Sequence, residues 1–131
     1  MSLGTELNNP FDLRDEGIPW KGLIGAKDRF CEFDTIEHGL RAGFRDIHTA
    51  WKMDGLNSIR QIVSKYAPPS ENDSTAYINA VCKETNLGPD DPLQLDVPEN
   101  LCALGMAVLR QEQGKVDPSY NLTQAVYDAL A

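Results

Sequence analysis

The sequence predicts a mainly helical α+β fold in which helices surround one central buried helix and a small β-lobe lies near the amino terminus. The first observation is an unbroken run of nine apolar or small residues, 101–109, which leaves a helix no polar face. A helix that is hydrophobic all round is normally buried. The second is an apolar stripe at helical spacing over residues 36–51, and the third is a pair of short β-rich stretches before it. At 131 residues the chain is expected to form a single domain. Residues 1–6 are expected to be disordered or tag-derived.

The central helix is predicted over Pro98–Gly114. Pro98 suits the first turn of a helix, where its missing N–H is not needed, and Gly114 suits a C-cap. Glu112 continues the apolar row of this helix, so its carboxyl is expected to face the protein. Partial burial and the negative end of the helix dipole would both disfavour the charged form, as a general acid requires. The alternative is an ordinary last turn that reaches solvent.

Local patterns predict the remaining elements. A long helix is expected to open at Asp34–Glu37, where either Asp34 or Thr35 is the N-cap and Asp34 fits a capping box with Glu37. Glu37 also lies on the flank of the apolar stripe, so it either faces a groove or serves only the helix cap. Two strands are predicted at Trp20–Gly25 and Arg29–Phe33. Further helices are predicted from a cap at Asn57 to Tyr66, at Ser74–Thr85 after a cap at Asn72 or Asp73, and at Leu122–Ala131.

Charge and composition exclude several classes of function. The formal net charge of −8 argues against nucleic acid or an anionic membrane as a partner, because both would repel the chain. No apolar run reaches the length of a membrane span, and no secretion signal is recognisable at the amino terminus. The three cysteines have no metal-ligand spacing and are typical of buried thiols in a reducing compartment. We therefore expect neither a metal nor an organic cofactor.

Several motifs together resemble a family of phage and prophage virion proteins that are lysozyme-like. The resemblance covers nearly the whole chain, and its most specific part is the string Ala67–Asp73. The family usually has Gly-Asn in place of Phe11-Asp12, so the resemblance assigns no role to that turn, and it tends to have Trp at position 66. The other matching motifs are Asn9-Pro10-Phe11-Asp12-Leu13-Arg14, Trp20-x-Gly22, Phe30-x-x-Phe33-Asp34-Thr35-x-Glu37-x-Gly39-x-Arg41-Ala42, Gly55–Ile59 and Arg110–Gly114.

A more distant resemblance is to autolysin and flagellar N-acetylglucosaminidases. These carry the same short motifs in another order, with the catalytic-glutamate helix first, whereas here the helix ending in Glu112-Gln113-Gly114 comes last. The difference in order implies a circularly permuted lysozyme-like fold. Permutation is tolerated where chain termini lie close together at the surface.

The two resemblances imply a peptidoglycan-cleaving glycosidase or lytic transglycosylase of a phage or prophage particle. Glu112 would be the general acid. Glu37 would be the second carboxylate, unless only Glu112 acts. Tyr66, Asn72 and Tyr77 are the candidates for binding the sugar chain, and peptidoglycan strands and other virion proteins are the expected partners. The protein would be found in the virion or in the host cytoplasm.

Two other interpretations stay open from the sequence alone. One is a virion component that keeps the fold without the chemistry, since Gln113 stands where the glucosaminidases place Ser. The other is a module that binds glycan strands without cutting them.

Overall fold

Two strands and five helices make up the part of the chain that the structure describes. The computed structural model describes residues 6–68 and 74–131, so the expectations for residues 1–5, Asn72 and Asp73 lie outside it. The mainly helical α+β class is confirmed. The elements are β1 (Leu23–Lys27), β2 (Phe30–Phe33), α1 (Ile36–Lys52), α2 (Ile59–Tyr66), α3 (Thr75–Thr85), α4 (Pro98–Gln113) and α5 (Leu122–Leu130).

The β-lobe is an antiparallel hairpin with one added bridge. Asp28 and Arg29 close the hairpin, both with positive φ (52° and 73°). Strand β1 begins later than predicted because the chain turns at Gly22, whose φ is +81°. Arg14 pairs with Phe30 of β2, so the segment before the hairpin is joined to the lobe through its backbone.

Helix α1 begins at one of the two predicted caps. The Thr35 hydroxyl accepts a hydrogen bond from the His38 backbone N–H at 3.2 Å. The capping box predicted between Asp34 and Glu37 is wrong, because the Asp34 carboxylate lies 2.6 Å from the ring nitrogen Nδ1 of His38 instead. Glu37 is exposed in the first turn.

Helix α4 packs against three of the other helices, and the burial predicted for it holds for part of its circumference. It contacts α1, α3 and α5, and it ends at Gly114, whose φ of +84° is the C-cap conformation expected there. Six of its residues are buried: Leu101, Leu104, Gly105, Ala107, Val108 and Leu109. One edge of the helix is not covered, because Ala103 is exposed and Cys102 and Met106 are only half-buried.

No helix in the described part of the chain is both long enough and apolar enough to cross a membrane.

Candidate functional site

A buried turn near the amino terminus fixes the position of Asp12. The Asp12 backbone N–H donates to the Asn9 carbonyl at 3.0 Å, and Asp12 itself has a positive φ of 53°. The Asn9 side chain is fully buried and makes three hydrogen bonds: its amide donates to the carbonyls of Leu13 (2.9 Å) and Cys31 (3.0 Å), and its oxygen accepts from the Leu13 N–H (2.9 Å). A fully satisfied buried amide of this kind holds the turn in one conformation.

Two glycines of α1 let this turn lie directly on the helix. A Cβ at Gly39 would collide with the Asn8 carbonyl, and a Cβ at Gly43 would enter the ring of Phe11. Phe11 is fully buried and packs edge-to-face on Phe44, with the ring centroids 5.2 Å apart and the planes at 71°. Such pairs add about 0.5–1.5 kcal/mol to the burial of the rings. The turn is therefore anchored to the helical core immediately before Asp12.

The last turn of α4 is tied to the same amino-terminal turn. The Gln113 side-chain amide donates to the Pro10 carbonyl at 2.6 Å. This hydrogen bond joins residues that are 103 positions apart in the sequence. It brings Glu112, the neighbour of Gln113, to the side of Asp12.

Glu112 is half-buried and holds its proton near neutral pH. Burial is the main cause that raises the pKa of its carboxyl from 4.5 to about 7, and the Asp12 carboxylate raises it further. The Tyr77 hydroxyl and the Arg14 guanidinium act in the opposite direction and lower this pKa. Burial also raises the pKa of the Asp12 carboxyl, from 3.8 to about 6. The site thus holds two interacting carboxyl groups, and burial raises the pKa of each.

The hydroxyl of Tyr77 is buried beside Glu112. It is shielded from solvent and has no partner of full hydrogen-bond geometry among the described residues. Burial raises the pKa of the Tyr77 hydroxyl far above its ordinary value, and the nearby Glu112 carboxyl raises it further. The hydroxyl therefore stays protonated and available as a donor to Glu112.

A cleft opens next to Asp12, between the amino-terminal segment and the helical body. Its floor includes Asp46, a buried carboxyl that accepts a hydrogen bond from the Tyr66 hydroxyl at 2.8 Å and lies 3.4 Å from the Lys65 ammonium. Burial raises the pKa of Asp46, whereas Lys65 and Tyr66 lower it. The cleft is lined by Asp12, Leu13, Arg14, Glu16, Ile18, Trp20, Asp46, Lys65 and Tyr66.

The structure brings together some of the predicted site residues and not others. Glu112 and Tyr77 meet in the buried cluster, and Tyr66 lines the cleft beside it. Glu37 is not brought to Glu112: it lines a separate groove with Lys21, His38, Arg41, Asp128 and Ala131. Asn72 lies outside the described residues.

Sequence reasoning missed Asp12 and Asp46. No spacing rule connects Asp12 to Glu112, because their proximity depends on how the turn docks onto α1 and α4. The only sequence signal for Asp46 is weak. It is a carboxyl that directly precedes Ile47 of the apolar stripe of α1, so it lies close to the buried face of the helix.

Chemically, the arrangement can deliver a proton from Glu112 while Asp12 carries a negative charge close by. In several enzymes two neighbouring carboxyl groups have different environments, so that one is protonated while the other is charged. The protonated group then acts as the acid, and the charged group acts as base, nucleophile or electrostatic stabiliser. No group of three or more His, Cys, Asp or Glu side chains in the described ranges is placed to hold a metal ion.

Comparison with known proteins identifies the class to which the chain belongs, that of phage proteins. Protein P5 of Pseudoalteromonas phage PM2 is 33% identical to it over 123 residues, which cover 90% of this chain and 75% of the relative. The chain therefore belongs to the family of protein P5. No family model matches the sequence. The predicted resemblance to phage proteins is confirmed at this level.

Proposed function

We propose that this protein is a lysozyme-like, phage-associated enzyme that cleaves glycosidic bonds in peptidoglycan, with Glu112 as the general acid. The observation that carries the proposal is the state of Glu112, a half-buried carboxyl with a pKa of about 7 next to a second carboxyl. A general acid works best when its pKa lies near the working pH, because it is then both protonated and able to release the proton. The distant resemblance to N-acetylglucosaminidases supplies the substrate class.

In this mechanism Glu112 protonates the oxygen of the leaving sugar as the glycosidic bond breaks. Positive charge then develops on the sugar ring, and a carboxylate close by stabilises it or attacks it. Asp12 is the better candidate for that carboxylate, since it is near enough to Glu112 to raise its pKa. Glu37, the second carboxylate predicted from the sequence, lines a different groove. Its catalytic role stays a prediction, and the assay described below tests it together with Asp12.

Tyr77 and Tyr66 take different parts in this proposal. Tyr77 would orient Glu112, because its hydroxyl is buried and faces that carboxyl. Tyr66 lines the cleft, so it would be the one of the two to contact a glycan strand bound there. Trp20 and Ile18 give the same cleft an apolar wall, and an apolar or aromatic wall is a common surface for the face of a sugar ring.

The test is the loss of turbidity of purified peptidoglycan sacculi with the wild type and three matched variants. Glu112→Gln keeps size and shape but has no proton to deliver, so we expect a loss of about 10²-fold or more. Asp12→Asn should lose activity to a similar extent, whereas Glu37→Gln should stay close to the wild type. Melting temperatures of all four proteins show whether a loss of activity is a loss of fold.

Each outcome of this assay has a distinct meaning. Full activity of Glu112→Gln would remove Glu112 from the mechanism, and loss of activity in Glu37→Gln but not in Asp12→Asn would restore Glu37 as the second carboxylate. Wild-type protein that binds sacculi without producing new reducing ends would be a glycan-binding module. Protein that neither binds nor cuts, but is found in purified phage particles, would be a structural component of the virion.

A further inference from the structure

The rest of the described protein leaves one edge of α4 partly open to solvent. This edge consists of Glu99, Cys102, Ala103 and Met106, which follow one another at helical spacing on the side away from the core. Soluble proteins seldom expose a contiguous apolar surface on a helix that is otherwise buried unless something else covers it.

A groove runs along each side of this edge. One lies between α4 and α5 and is walled by Met106, Val126 and Tyr127. The other lies between α4 and the loop that leads to it, and Leu87 and Leu93 contribute to its wall. Ala103 borders both grooves, so the edge forms a low ridge between them at this residue.

Each groove has one large exposed apolar side chain in its wall. Tyr127 lines the groove between α4 and α5, and Leu87 lines the groove beside the loop that leads to α4. The other four large apolar side chains that the described residues expose, Ile18, Ile24, Met53 and Val97, line neither groove. A partner in these grooves would cover apolar surface that is otherwise exposed to water.

From this surface we infer that the α4 edge is a docking site for an amphipathic helix of another protein, one that presents aliphatic side chains and a lysine or arginine beside them. A ridge between two furrows is the surface onto which a second helix packs, because the ridges of one helix fit the grooves of the other. Glu99 is the one charged side chain among the described residues that line the two grooves, so it specifies a basic neighbour on the partner.

Charge decides between such a partner and a second copy of the chain. Each copy has a formal net charge of −8, and a symmetric dimer through this surface would also bring two Glu99 side chains to the same interface. Like charges placed together at an interface oppose association. A basic partner gains the attraction that a second copy lacks.

The test uses defined helical peptides of about fifteen residues, long enough to form the contact when bound. The first places leucines at positions i, i+3, i+4 and i+7 with flanking lysines, the second replaces the lysines by glutamates, and the third is a scramble of the first. Fluorescence anisotropy of the labelled peptides measures binding to the wild type and to three variants. Ala103→Glu puts a charge on the exposed ridge, Glu99→Lys reverses the specifying charge, and Ile24→Glu is a control that changes an exposed apolar residue elsewhere.

We expect the leucine–lysine peptide to bind the wild type and the Ile24→Glu control alike, and to bind Ala103→Glu at least about tenfold more weakly, because a charge must then be buried in an apolar contact. The leucine–glutamate peptide should bind the wild type more weakly, and Glu99→Lys should reduce the difference in affinity between the two peptides. Equal binding of the scramble, no binding of the leucine–lysine helix, or equal losses in Ala103→Glu and Ile24→Glu would each overturn the inference. Self-association of the wild type that Ala103→Glu abolishes, seen by sedimentation, would show that a second copy is the occupant and would overturn it too.

Discussion

Replacing Glu112 by glutamine should stabilise the protein, and the gain should grow as the pH rises. Below pH 4.5 the glutamic acid is protonated in both the folded and the unfolded chain, so burial costs it little. Between pH 4.5 and about 7 the unfolded chain releases the proton while the folded chain keeps it, and the free energy of unfolding of the wild type falls. Above about pH 7 the penalty is complete and constant. The glutamine of the variant does not titrate, which makes the difference between the two proteins a direct measure of the penalty.

The size of the effect follows from the two pKa values. The gap between 4.5 and about 7 corresponds to about 3 kcal/mol, since one pKa unit is worth about 1.4 kcal/mol. Part of the Glu112 side chain is solvated, so the measured gain should lie at about 2–3 kcal/mol. For a domain of this length that is a rise in melting temperature of about 10 °C at pH 8, with almost none at pH 4.

The measurement is urea and thermal unfolding of the wild type and the variant at intervals from pH 4 to pH 8. Glu37→Gln is the matched control, because it removes an exposed carboxyl from a helix terminus, and its difference from the wild type should not follow this rise. A Glu112→Gln variant whose gain is the same at all pH values, or that is less stable than the wild type at pH 8, would refute the claim that Glu112 is buried with a raised pKa. The result does not depend on catalysis.

Three further predictions concern the supports of the site. Gly43→Ala should destabilise the protein by about 1–3 kcal/mol in urea unfolding, because the methyl group enters an aromatic ring; Gly25→Ala, where a Cβ meets nothing within 4 Å, is its control and should cost far less. Asn9→Ala leaves buried backbone groups without partners and should cost about 2–4 kcal/mol by the same method. Tyr77→Phe should move the pKa of Glu112 upward, since the hydroxyl lowers it, and a carboxyl titration by NMR that shows an unchanged or lower midpoint would contradict this.

Much of the fold could be predicted because its signals are local. The central helix begins at Pro98 and is capped at Gly114 as predicted, since proline and glycine act on the backbone at the position where they stand. Helix caps are harder to predict where several polar residues are adjacent. Asn57 was predicted to cap α2, but the cap is Ser58, whose hydroxyl accepts a hydrogen bond from the Gln61 backbone N–H. The lysozyme-like topology and its circular permutation stay predictions.

The candidate site was predicted only in part because it is not local. Helical periodicity indicates that Glu112 faces inward, and in the structure it is half-buried. Periodicity does not show which distant segment a side chain will contact. It therefore suggested Glu37, which flanks the apolar stripe of another helix, as the second carboxylate and gave no indication of Asp12. The position of Asp12 depends on the buried Asn9 amide and on the small surface of Gly43, and neither leaves a trace in residue spacing.

The hydrogen bond between Gln113 and Pro10 determines when the Asp12–Glu112 pair forms during synthesis and folding. Asp12 is synthesised well before Glu112, and the pair exists only after the amino-terminal turn has docked against the end of α4. Before that moment Glu112 sits on an unfinished helix with the ordinary acidity of a solvated glutamate, and its proton is gone at neutral pH. The raised pKa of Glu112 is therefore a property of the folded protein, and a chain that lacks the docked amino-terminal turn does not have it.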